Sequence, residues 1–284
     1  MEPNTKEVER IIAAALAEDI GSGDITAQLL IPSAASVQLA FINREPMVVA
    51  GAWIVPKVFA HMDSTIKTTI HISEGKRVAA GTRLIEVIGN ARSILATERV
   101  ALNLLQRMSS VATTTSRYVQ AVAGTKAIIL DTRKTMPGLR ELDKYAVCTG
   151  GGQNHRMRLD DGILIKDNHI AVCGGVAVAL ERANAGNIHH LPVEVECDTL
   201  AQVEEALACG AIRIMLDNMT LEQMCEAVRM NQGRAVLEAS GNVTLDTVRA
   251  VAETGVDYIS VGRLTNSVQS VDIGLDIVME TKNA

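Results

Sequence analysis

The stretch PVEVECDTLAQVEEALACGAIRIMLDNMTLEQMCEAVRMNQGRAVLEASGNV (192–243) decides the fold class. It holds three short apolar runs, PVEVEC (192–197), IRIML (212–216) and AVLEA (235–239). Between them lie LAQVEEALACG and LEQMCEAVRM, whose apolar residues recur at helical spacing. Strand, amphipathic helix, strand is the pattern of a parallel sheet, because parallel neighbours need a crossover and a helix is the compact way to make one. Outward from this core, AIIL (127–130), GILI (162–165) and YISV (258–261) fit the same pattern. The short, nearly constant repeat favours a barrel over an open doubly wound sheet, and no G-x-G-x-x-G follows the first run. Six runs fall short of the eight of a full barrel. Either the barrel is incomplete or the glycine-rich 146–152 stretch hides a strand.

The N-terminal part has a different texture. Asn4 followed by Glu7 has capping-box spacing, and Val8, Ile11, Ile12, Ala15 and Leu16 then recur as one face of a helix that Gly21 and Gly23 stop. From about residue 25 to 96 the chain breaks into β-like runs, VQLAFI (37–42), MVVAG (47–51), STIKTTIHI (64–72) and RLIEVIG (83–89). This predicts a small sheet-rich domain. ISEGKRVAAGTRLIEVIG within it is similar to half of a lipoyl or biotinyl carrier motif. No Met-Lys pair is present and Lys76 lies in a Glu-Gly-Lys-Arg turn, so the hairpin is read as scaffold. Thr97 is expected to cap a long helix running toward Gly124, with Arg99 in its first turn, where the helix dipole disfavours a cation. A residue that breaks a local rule in this way is a candidate functional residue.

Composition narrows the function. The net charge of −6 argues against a general nucleic-acid or membrane-surface binder, and 2% aromatic residues leave few side chains for stacking bases. No apolar run approaches the roughly 20 residues that span a bilayer. The N-terminus, MEPNTKEVER, is polar and unlike a secretory signal. Cys148, Cys173, Cys197, Cys209 and Cys225 are odd in number and contain no C-x-x-C pair. They are expected to be reduced thiols, mostly buried as small hydrophobes, in a cytoplasmic protein.

Barrel sites lie at the C-terminal ends of the strands. Those ends carry, in order, Asp131-Thr132-Arg133-Lys134; Lys166-Asp167-Asn168-His169; Glu194 and Glu196; Asp217-Asn218; Glu238 with Ser240-Gly241-Asn242; and Gly262-Arg263. Arg133, Lys134, Lys166 and the His155-Arg156 pair after three glycines predict a ligand with more than one negative group, since arginine forks onto carboxylate or phosphate and lysine adds a mobile charge. Ser240-Gly241-Asn242 and Gly262 occupy the last two strand ends, where barrels commonly hold a phosphate on backbone N–H groups. Glu196 and Asp217 would repel each other if bare. A shared Mg²⁺, a cationic centre on the substrate, or an ion pair with Lys166 or Arg133 would resolve that conflict.

The block DTRKTMPGLRELDKYAVCTGGGQNHRMRLDDGILIKDNHI (131–170) closely resembles the signature of the quinolinate phosphoribosyltransferases. EDIGSGDIT (18–26), TERVALNLLQRMSSVAT (97–113), LEASGNV (237–243) and ISVGRLTNS (259–267) extend the likeness along almost the whole chain. Ser110, where glycine is common, and Arg158, where a small residue is common, depart from the pattern. The resemblance implies an N-terminal α/β sandwich domain with a linking helix (1–110). It implies an incomplete (β/α) barrel of the type II phosphoribosyltransferases (111–284), with the segment from about 266 to 284 packing back on the first domain. It also implies a homodimer with active sites shared across the interface and open to further assembly.

Residue by residue, the resemblance puts Arg99, Arg133, His155, Arg156 and Lys166 around two substrate carboxylates, Arg99 reaching from the partner subunit. Thr132 joins the substrate-binding set, and Lys134 lies near the reacting groups. Glu196 and Asp217 face the ribose and a Mg²⁺-bound pyrophosphate as catalytic and metal-binding acids, and Ser240, Gly241, Asn242 and Gly262 line a 5′-phosphate site. The implied reaction joins quinolinate to phosphoribosyl pyrophosphate with loss of carbon dioxide, in NAD biosynthesis. Two other classes stay open on the residues alone: a Schiff-base lyase using Lys166, and a carrier modified on Lys76. A related transferase acting on nicotinate is the nearer alternative, though two carboxylates match the full cationic set better.

Overall fold

The structure, a computed structural model, describes residues 3–278. The chain divides into two compact units, one built from the segments up to residue 116, 136–151 and from 268 onward, the other from 117–135 and 152–267.

The first unit opens with α1 (Thr5–Ile20) and α2 (Ile25–Leu30). The Asn4 side chain accepts the Lys6 and Glu7 N–H groups, as expected of the cap. The other half of the predicted capping box is absent: Glu7 pairs with Arg10, and Asn4 N–H donates to Glu141 instead. The four-stranded antiparallel sheet then forms from β1 (Ser36–Asn43), β3 (Lys67–Ile70) and β5 (Arg83–Asn90) with β12 (Ile273–Ile277), in the order β12-β1-β5-β3. A short ribbon pairs β2 (Met47–Val48) with β4 (Arg77–Val78). Phe41 of β1 meets Phe59 of α3 (Ile54–Met62) edge to face at 6.2 Å, both rings fully buried. Lys76, the residue of the carrier-like turn, is exposed just before β4.

The linking helix α4 (Ala91–Ala121) starts seven residues earlier than expected. Asn90, the last residue of β5, accepts the Ser93 N–H and so marks the true start. Thr97 is buried within the helix and turns its hydroxyl back to Ser93 O. Arg99 is therefore in the third turn, exposed, and the dipole argument for it does not hold. Residues 110 and 111 lie inside α4, and α5 (Arg140–Thr149) belongs with the first unit. There Arg107 forks onto the fully buried Asp143, both bonds 2.8 Å, which ties α4 to α5. Gly150, at the end of α5, approaches Ala112 and Thr115 so closely that a Cβ would collide with them.

The second unit is the parallel sheet anticipated from the repeats. β6 (Ile128–Leu130), β7 (Ile163–Ile165), β8 (Val193–Cys197), β9 (Arg213–Asp217), β10 (Val236–Ser240) and β11 (Tyr258–Ser260) line up as β6-β11-β10-β9-β8-β7. Every pairing is parallel. The helices between them are α6 (Asp167–Cys173), α7 (Val176–Gly186), α8 (Leu200–Ala208), α9 (Leu221–Asn231), α10 (Val248–Glu253) and α11 (Arg263–Asn266). Thr199 and Thr220 close capping boxes with Gln202 and Gln223, fixing where α8 and α9 leave the strand ends. β6 and β7 do not pair, so the barrel is incomplete. The glycine-rich stretch hides no strand; it ends α5, and a lone parallel bridge from Gln153 to Leu130 occupies the free edge of β6. All five cysteines are free; Cys197 is buried, but Cys209 and Cys225 are exposed, contrary to the expectation of burial.

Ser110 has a role in the first unit that a glycine would not fill. Its hydroxyl donates to Gln106 O and accepts the buried Val271 N–H at 2.9 Å, anchoring the segment that leads into β12. Ser110→Ala leaves that N–H without a partner and is expected to cost about 1–3 kcal/mol, read as a lower urea midpoint at unchanged m-value.

Candidate active site

Six strand ends of the second unit converge on one cavity of about 340 Å³. Thr132, Arg133 and Lys134 reach it from the end of β6, Lys166 from β7, Glu196 from β8, Asp217 from β9 and Ser240 from β10, with His155 and Arg156 from the loop beyond Gln153. Parallel pairing explains the convergence, because it delivers every C-terminal strand end to the same mouth. Alternation then sorts the side chains: in β8 through β10 the register sets Glu196 opposite Met215, Met215 opposite Glu238, and Asp217 opposite Ser240.

Leu164, Met215 and Ser260 also line the cavity and were not among the expected site residues, and Glu238, read at its strand end but given no role, joins them. Leu164, Met215 and Glu238 each stand two positions before a chosen strand-end residue, so the period-two rule would have found them. Gly241, Asn242 and Gly262 are not part of the cavity wall. Gly241 (φ 100°) and Asn242 (φ 51°) form a left-handed turn after β10, packed against Asn218, which itself has φ 53°. Gly262 leaves room for the Lys134 chain, since a Cβ there would stand 3.0 Å from Lys134 Cδ. Arg99 belongs to the first unit. Arg158 is exposed.

The cations are held in fixed poses. Thr132 Oγ1 accepts the Lys134 N–H at 3.0 Å, and Thr265 Oγ1 donates to Lys134 O at 2.8 Å. Arg156 donates to Gly162 O at 2.8 Å. Burial, and then the neighbouring Arg133, lower the Arg156 pKa below the usual arginine value. Two cations lining one cavity in this way are relieved by an anion.

The acids are placed differently. Glu196 is nearly buried and accepts from Lys166 Nζ at 3.0 Å, the ion pair anticipated as the plain structural reading of that residue. Asp217 accepts from Asn218 Nδ2 at 2.6 Å. Asp198, which follows β8, has its pKa raised by burial and then by Asp217 and Asp167. Asp198 thus feels the negative charge of Asp217 and Asp167, a setting that a cation would relieve.

Beneath these groups, His155 Nε2 lies 3.0 Å from Glu194 Oε2, and His155 Nδ1 accepts the Arg156 N–H at 2.7 Å. Asp131, fully buried, accepts the His155 N–H and an Asn154 amide hydrogen, which fixes the loop. A ring that accepts at Nδ1 and donates at Nε2 is neutral.

Family models described as quinolinate phosphoribosyl transferase, N-terminal domain and C-terminal domain, match residues 24–109 and 111–276. The chain belongs to the quinolinate phosphoribosyltransferase family. It is 39% identical over 280 residues to a probable nicotinate-nucleotide pyrophosphorylase [carboxylating] of Bacillus subtilis, covering 99% of this chain and 96% of that one. It is 43% identical to quinolinate phosphoribosyltransferase [decarboxylating] 1 of Nicotiana glauca, over 97% and 84% of the two chains. The solved nicotinate-nucleotide pyrophosphorylase of Francisella tularensis superposes with a TM-score of 0.93 at 40% identity, over 98% of each chain.

Glu238 is completely buried, and burial, then the charge of Glu194, push its carboxyl pKa up. A carboxyl raised in the folded state binds more protons there than in the unfolded chain. Stability therefore falls as pH rises from the ordinary carboxylate range toward the raised value. Glu238→Gln is expected to flatten that decline, measured by urea unfolding across a pH series.

Proposed function

We propose that this enzyme transfers the phosphoribosyl group of phosphoribosyl pyrophosphate to quinolinate, releasing pyrophosphate and carbon dioxide and leaving nicotinate mononucleotide, a step of NAD biosynthesis. The observation that carries this reading is one cavity holding Arg133, Arg156 and Lys166 together with Glu196 and Asp217. A planar diacid needs several cations at fixed separations, and an anomeric carbon losing pyrophosphate needs carboxylates near it.

In this reading Arg133 and Arg156 grip the two carboxylates, and Lys166 stands between that end and Glu196, holding the acid in place until the cationic ribose forms. Asp217 faces the same centre. Met215 and Leu164 supply an apolar wall that keeps water from competing with the pyridine nitrogen. Lys134 lies where the departing charge accumulates. Attack by the ring nitrogen leaves a cationic pyridinium, whose charge stabilises the electron pair left on the adjacent ring carbon when its carboxylate departs as carbon dioxide, and that carbon then takes up a proton from water. Positioning and fixed charge supply the catalysis, with no covalent nucleophile. Glu196 and Asp217 would hold a Mg²⁺ ion, whose chemistry is to neutralise the pyrophosphate leaving group. The Ser240-Gly241-Asn242 turn and Gly262 would take the 5′-phosphate.

The reading extends to a homodimer with Arg99 given to the partner's site. Its support is the exposure of Arg99 on α4 and of Ile25, Leu29 and Leu30 on α2, an apolar row of the kind a second copy covers. Among the described residues no helix is long and apolar enough to cross a membrane, and the free cysteines accord with the cytoplasm we assign.

Product formation dependent on quinolinate, phosphoribosyl pyrophosphate and Mg²⁺ together, followed by chromatography, tests the reaction; folded protein that forms none overturns it. Glu196→Gln is expected to lower kcat about a hundredfold while quinolinate Kd stays within about threefold. A large loss of quinolinate affinity at unchanged kcat would reassign Glu196 to the acid-binding end. Mixing Arg99→Ala with Lys134→Ala subunits is expected to restore about a quarter of wild-type activity, because half the dimers then carry one intact site. Subunit exchange without any recovery would exclude a shared site.

A further inference from the structure

Below the cavity lies a group of charges that the proposed reaction does not use. Alternation turns Glu194 of β8, Arg213 of β9 and Glu238 of β10 into the barrel interior, where branched apolar side chains ordinarily pack. Glu238 is fully buried, and Glu194 Oε1 and both Glu238 oxygens have no hydrogen-bond partner among the described residues. Arg213 Nε lies 3.9 Å from Glu194 and its Nη2 3.7 Å from Glu238, with the guanidinium 5.3 Å above the Tyr258 ring. Buried charges of this kind are less stabilising than apolar side chains of equal volume, so their presence calls for a role other than stability.

What they touch is His155. Its Nε2 is 3.0 Å from Glu194 and 3.8 Å from Glu238, while its Nδ1 accepts the Arg156 N–H. The ligand atoms of His155, Glu194 and Glu238 lie within 4.8 Å of one another, a spacing that would admit a cation. Arg213 already supplies the positive charge to both carboxylates, so the group is complete without one. Glu194, and Glu238 where it is ionised, would by themselves favour the imidazolium. That form carries a proton on Nδ1, which cannot accept from Arg156 N–H, and the bond that holds the Arg156 backbone would be lost. The Arg213 charge offsets this pull.

We propose that Arg213 and Glu238 are positioning residues: acting with Glu194, they hold His155 as the neutral Nε2–H tautomer and thereby fix the 155–156 backbone from which Arg156 reaches the cavity. The kinetic consequence, weaker quinolinate binding when the balance is upset, rests on the reaction proposed above. The tautomer itself does not.

The test is ¹⁵N NMR of histidine-labelled protein at neutral pH, with His155 assigned by the signals missing from His155→Gln. The wild-type ring should show a bare Nδ1 and a protonated Nε2. Arg213→Ala should protonate both nitrogens, and Arg213→Ala with Glu238→Gln should return the ring to the wild-type state. In turnover, Arg213→Ala should raise the quinolinate KM about tenfold with kcat and the phosphoribosyl pyrophosphate KM within about threefold, and the double variant should recover most of that loss. A protonated Nδ1 in the wild type, or a ring indifferent to Arg213→Ala, overturns the proposal. So does a fall in Tm in the single variants with no change in quinolinate KM. If Arg213→Ala does not fold, Arg213→Gln, which removes the charge but keeps more of the side chain, decides, and it should protonate both nitrogens as well. Wild-type protein that fails to turn over quinolinate would sink the reaction, while the ring spectra would still decide the tautomer.

Discussion

Parallel pairing with strict alternation is the constraint on which the second unit depends. It sends all six strand ends to one mouth, and it forces whatever stands two residues earlier into the barrel interior. Placing Glu196, Asp217 and Ser240 at the mouth therefore places Glu194, Met215 and Glu238 one layer below. A slip of one residue in any strand would exchange that polar interior for the apolar face that packs on the helices, so the register is specified by both faces at once.

The charged interior then has to be balanced. At the mouth Lys166 answers Glu196; in the layer beneath, Arg213 answers Glu194 and Glu238 from longer range. The first pair lies in reach of solvent and can be remade when a ligand arrives. In the second the two acids are enclosed while Arg213 is part-exposed, and Glu238 bears the cost as a raised pKa. The difference separates groups that exchange partners during a reaction from groups that set geometry beforehand.

Much of this was legible in the sequence because short, nearly continuous apolar runs can be little else than buried strands. All six were found, and the polar residues after them marked the cavity. What escaped notice had weaker local signals. Thr97 looked like a helix cap because threonine often is one, but Asn90 at the end of β5 was the better cap and the helix began there. The Gln153 bridge involves one residue and has no period to detect. Pairing of β12 with β1 joins residues more than two hundred positions apart, and no local rule gives that register. The state of His155 depends on Glu194 and Glu238, which come from two other strands.

The order of the strands also sorts the mouth by charge. β6, the 153–156 loop on its free edge and β7 contribute Arg133, Lys134, Arg156 and Lys166, a cationic arc. β8 and β9 contribute Glu196, Asp198 and Asp217, an anionic arc. β10 and β11 end in Ser240-Gly241-Asn242 and Gly262, uncharged turns to which the proposed reaction gives the phosphate. A substrate pair made of a dicarboxylate, a metal-bound pyrophosphate on a ribose, and a terminal phosphate presents the complementary sequence of charges. The incomplete barrel serves this arrangement. Leaving β6 and β7 unpaired opens the cationic arc at the edge, where a loop can carry His155 and Arg156 into the cavity instead of a strand turning them aside.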